Sequence, residues 1–82
     1  MPVDVVTVDR IDCVPTRKPA CMQYWIVAHT VAYPSQLVRY QTVDHWRASL
    51  CEQAKALGLP LQVTWRDHRF GRELVSVEIA SE

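Results

Sequence analysis

Cys13, Cys21 and Cys51, with His29, His45 and His68, are the residues of this chain best suited to metal or nucleophilic chemistry, and their spacing serves neither. Structural zinc sites announce themselves by close pairs such as Cys-x-x-Cys, which deliver two ligands from one turn, and no such pair occurs here. Asp44-His45 and Asp67-His68 each set an acid beside an imidazole, but adjacent side chains point apart, and neither pair has a nucleophile or glycine-rich phosphate loop nearby. Cys51 falls inside a helical pattern, away from its N-terminus, and reads as a packing residue rather than an activated thiolate. The expectation is a protein with no metal, no cofactor and no enzymatic activity. Cys13 and Cys21 flank a loop where a bridge would fit, but an odd cysteine count favours buried or free thiols.

Cations and aromatic rings are the other chemistry-bearing set. Nine Lys+Arg balance nine Asp+Glu, and this zero net charge counts against nucleic acid, whose binders usually carry excess positive charge. The distribution is less even. Asp4, Asp9 and Asp12 face only Arg10 in the first twelve residues, whereas Arg17, Lys18, Arg39 and Arg47 face Asp44 alone in the middle of the chain. Arg66, Arg69 and Arg72 cluster again near Asp67 and Glu73, with Phe70 among them.

The elements that must position these residues begin with one well-punctuated helix over 44–57. Asp44 can accept from the first-turn N–H groups, Gly58 suits the left-handed residue after the last turn, and Pro60 prevents continuation. Trp46, Leu50, Ala54 and Leu57 follow at helical spacing and are expected to form the core-facing stripe. Upstream, residues 3–14 read as a long strand whose apolar residues slip in phase, from Val3 and Val5 to Val6 and Val8, then to Ile11 and Cys13. Such slips indicate bulges or a sharp coil, which let one strand serve two sheets.

Residues 23–30 and 37–43 read as second and third strands, rich in β-favouring residues and too short for helices. After the helix, Leu61, Val63 and Trp65 alternate with polar residues, and Val75, Val77 and Ile79 alternate with Leu74, Ser76 and Glu78. The segment 67–72 joins them, with Gly71 at a turn position. Residues 14–20 and 31–36, containing Pro15, Pro19 and Pro34, are expected loops.

At 82 residues this is one domain, able to bury only ~60% of its unfolded surface, so barrel closure or dimerisation would help it. Apolar residues make up 49%, enough to exclude disorder. The longest apolar runs, such as 24–28, are too short for a bilayer, and Met1-Pro2-Val3-Asp4 lacks a secretory signal's basic start, so a cytoplasmic protein without a membrane role is expected.

The order strand, strand, strand, helix, strand, strand resembles the OB-fold, a small five-stranded Greek-key barrel with a strongly curved first strand. Arg17-Lys18-Pro19 followed by Gln23-Tyr24-Trp25-Ile26-Val27 is similar to the basic loop and aromatic second strand of many single-strand-binding OB domains. The resemblance implies binding through strands two and three and the loops joining strands one to two and four to five. Single strands are held by cations that track phosphates and by rings on which bases stack. Mapped by position, Arg17, Lys18, Arg39, Arg66, Arg69 and Arg72 would supply the cations, and Tyr24 or Trp25, Tyr40 and Phe70 the stacking faces.

Either parity of the second strand fits the pattern, since Tyr24, Ile26 and Ala28 share one face and Trp25, Val27 and His29 the other. The plainer reading puts Trp25, Trp46 and Trp65 in the core and treats the arginines as an ordinary solvated surface. The alternative function is a protein-interaction or homodimerising module using a strand edge or aromatic surface, which near-neutral charge would suit.

Overall fold

A computed structural model describes residues 1–16, 22–69 and 71–80. Five strands and one helix follow in the expected order: β1 (Val3–Pro15), β2 (Met22–Thr30), β3 (Leu37–Thr42), α1 (His45–Leu57), β4 (Leu61–His68) and β5 (Gly71–Ile79). The strands close into a barrel with neighbours in the order β1-β2-β3-β5-β4, the OB-like topology. Closure comes from a short parallel contact between β3 and β5, Tyr40 opposite Arg72 and Gln41 opposite Glu73, where all other pairings are antiparallel.

β1 pairs with β4 through 3–6 and with β2 through 6–15, as its two-sheet role requires. Only one of the expected phase slips is a bulge. Register with β2 shifts between Val8 and Arg10, so Val6 and Val8 point inward before the bulge and Ile11 packs on the core after it. Val3 and Val5 belong to the outer face and are exposed, at 51% and 38%.

The hairpin is tighter than the sequence suggested, because pairing continues to His68 opposite Gly71, whose φ of +129° relieves the turn. A second bulge, between Thr64 and Trp65, places Trp65 opposite Leu74 and turns Leu74 inward at 3% exposure, against the outward position its alternation implied. The largest fully buried side chains among the described residues are Val6, Ile26, Tyr40, Cys51, Leu61 and Val63. Each large aliphatic among them contributes ~1.5–3 kcal/mol by burial.

Asp44 caps α1, its Oδ1 accepting from the backbone N–H of Trp46 at 2.8 Å and of Arg47 at 3.2 Å. At the other end Gly58 takes φ +69°, and the N–H groups of Gly58 and Leu59 return to the carbonyls of Lys55 and Ala54. The buried face of α1 is Ala48, Cys51 and Ala54, with Leu50 partly buried. This corrects the expected stripe: Trp46 and Leu57 are 82% and 69% exposed. Small residues let the helix lie close across β1 and β5, a docking that apolar spacing alone could not foresee.

Candidate nucleic-acid interface

The inner face of β2 is Ile26 and Ala28, both buried, so Trp25, Val27 and His29 belong to the outer face. Cross-strand register then assembles one row around the barrel: Asp12 opposite Trp25, Trp25 opposite Gln41, Gln41 opposite Glu73, and Glu73 opposite Arg66. Three strand spacings, roughly 14 Å, separate Trp25 from Arg66 along it. The adjacent row sets Arg10 and Arg39 on either side of Val27.

Trp25 and Arg39 meet across β2 and β3. The Arg39 guanidinium carbon lies 4.8 Å from the Trp25 ring centroid, a cation–π contact between an exposed arginine and a half-buried tryptophan. Beside them, the amide of Gln41 makes a 2.7 Å hydrogen bond with Nδ1 of His68 and accepts from Nε2 of Gln23. The β4–β5 hairpin thus bends over the outer face of β2–β3. This explains why Gln41, outward by parity, is only 3% exposed.

The remaining predicted residues scatter. Arg66 stands on the same outer row but is paired with Glu73, its Nε donating to Oε1 at 2.7 Å. Arg69 is exposed at the hairpin turn. Tyr24 faces the helix end of the barrel, its hydroxyl 3.2 Å from Nδ1 of His45.

Tyr40 is not a stacking face. It is 0% exposed and donates to Oδ2 of Asp4 at 2.7 Å, and burial first, then that hydrogen bond, pushes its hydroxyl well above the usual tyrosine range. The cause is cross-strand register: Tyr40 shares a row with Ile26 and Ile11, all inward.

Arg72 also belongs to this inner row. Its guanidinium lies 4.2 Å over the Trp65 ring and its Nη1 is 3.6 Å from Oδ2 of Asp4, at the barrel mouth and away from the Trp25 face. Arg17, Lys18 and Phe70 lie outside the described residues, as does Cys21, the suggested partner of Cys13.

Gln23, Gln41, His68 and Arg10 join this surface without having been singled out. Once Ile26 is known to face inward, parity and register find all but His68, which depends on how the hairpin bends. Cys13 is exposed and free, and Cys51 is buried and free. Among the described residues no group of His, Cys, Asp and Glu could hold a metal ion, and no helix is long and apolar enough to cross a membrane. Comparison with protein-family models, with curated proteins and with solved structures finds no match to this chain.

Proposed function

We propose that this barrel is a non-catalytic binding module for single-stranded DNA or RNA, akin to single-strand-binding OB domains, with the outer face of β2–β3 as its platform. The observation that carries the reading is the Trp25–Arg39 pair, a half-buried indole and an exposed guanidinium stacked on the outer side of adjacent strands. A base can stack on either planar group while neighbouring phosphates meet the exposed Arg39 or Arg69. Arg10, Arg66 and Arg72 contribute less than their charge suggests, because Asp12, Glu73 and Asp4 already accompany them.

The zero net charge makes the interaction modest in strength, and affinity falls as salt rises because each cation that meets a phosphate releases a counterion. Titration with unlabelled oligothymidylate at low salt should quench tryptophan fluorescence, and added salt should reverse it. Absence of quenching at low salt removes the proposal.

A second reading rests on Trp46, 82% exposed on α1 beside Val43 at 66%. A solvent-facing indole next to an aliphatic side chain is the composition of a protein contact. A salt-insensitive dimer in sedimentation that dissociates on Trp46→Ala would favour it.

A further inference from the structure

We propose that the barrel mouth formed by β1, the 31–36 loop, β4 and β5 is a site for a small apolar zwitterion, of the class of free aliphatic or aromatic α-amino acids. A cavity of about 540 Å³ opens there, walled by Val3, Val31, Val38, Tyr33 and Trp65. This is the volume of a small-molecule pocket, and it lies at the end of the barrel remote from Tyr24 and His45.

Asp4 and Arg72 are the charged groups lining it. Oδ2 of Asp4 accepts from the Tyr40 hydroxyl and from Nε1 of Trp65, both at 2.7 Å. Oδ1 makes no hydrogen bond among the described residues, and the Asp4 side chain is 27% exposed. Arg72 stacks on Trp65 with one guanidinium face, is 36% exposed, and at 3.6 Å stands beyond hydrogen-bond reach of Asp4. The ion pair is therefore open: one carboxylate oxygen and several guanidinium N–H groups remain beside an apolar wall.

Charge balance selects the ligand. A lone anion drawn to Arg72 is repelled by Asp4, and a lone cation meets the reverse. A molecule carrying an ammonium and a carboxylate a few bonds apart satisfies both, with each contact a charge-assisted hydrogen bond, while its side chain covers the valines. This inference is independent of the nucleic-acid reading, since the mouth and the Trp25 face lie on different surfaces.

The indole Nε1–H of Trp65, which donates to Asp4, is a direct reporter in proton–nitrogen correlation spectra. L-leucine and L-phenylalanine should shift it saturably. N-acetyl-L-leucine, lacking the cation, and L-leucinamide, lacking the anion, should bind about tenfold more weakly or worse, the loss of one charge-assisted contact. Val31→Trp, at an exposed wall position, should leave the spectrum folded and abolish the shift. No shift with either amino acid, equal binding of the singly charged analogues, or undiminished binding by the Val31→Trp variant would each overturn the proposal.

Discussion

The guanidinium of Arg39 covers the indole of Trp25 at 4.8 Å, on the exterior of the barrel and across a strand boundary. Each stacked base is worth ~1–3 kcal/mol, so Trp25→Ala should weaken oligonucleotide binding by roughly five- to 150-fold. Trp25→Phe should retain most of the affinity. Arg39→Ala should lower the slope of log affinity against log salt by about one, measured by anisotropy of a labelled oligonucleotide.

Asp4 joins β1 to β3 through Tyr40 and to β4 through Trp65, both hydrogen bonds falling on one carboxylate oxygen. Asp4→Leu leaves two donors without their acceptor, and each such donor costs ~1–3 kcal/mol when it is buried. A loss on the order of 2–5 kcal/mol is expected in urea unfolding. Tyr40→Phe keeps the Trp65 bond and should cost about 1 kcal/mol.

Tyr40 also imposes a pH dependence. Its folded-state pKa is raised, so its contribution is complete below the unfolded tyrosine value of about 10 and fades as pH rises beyond it, because the unfolded chain ionises first. Between pH 9 and pH 11 the wild type should lose unfolding free energy more steeply than the Tyr40→Phe variant. Parallel slopes would contradict this.

Burial pushes the Cys51 thiol up to about 11, which keeps it protonated at neutral pH, whereas Cys13 is exposed. The sign is the same as for Tyr40: stability from Cys51 is complete below the unfolded thiol value and declines as pH climbs past it. Iodoacetamide at pH 8 should alkylate Cys13 readily and leave Cys51 unmodified until denaturant is added, as read by peptide mass spectrometry.

The two ends of α1 should be separable from its exposed face. Asp44→Ala removes two backbone acceptor contacts and should cost about 1 kcal/mol. Gly58→Ala should cost a similar ~1 kcal/mol through φ +69° alone, since a Cβ there meets nothing within 4 Å. Trp46→Ala should change stability by no more than about 0.5 kcal/mol.

Element order, the ends of α1 and the existence of the closing hairpin were legible in the chain, because caps, glycine positions and two-residue alternation are local signals carried by adjacent residues. Asp44, Gly58 and Gly71 each play the part their type implied. Which residues share a surface was a different matter. Tyr40 and Trp25 are both aromatic residues on β-strands, yet one is fully buried inside the barrel and the other lies half-buried on its outer face. That difference rests on the register between β2 and β3 and on a bulge in β1, neither of which any single segment encodes. The buried face of α1 has the same origin, since a helix buries whichever side meets what it docks against, here Ala48, Cys51 and Ala54, with Trp46 left in solvent. Local chemistry settles where elements start and stop, while closure of the cylinder decides which side chains meet.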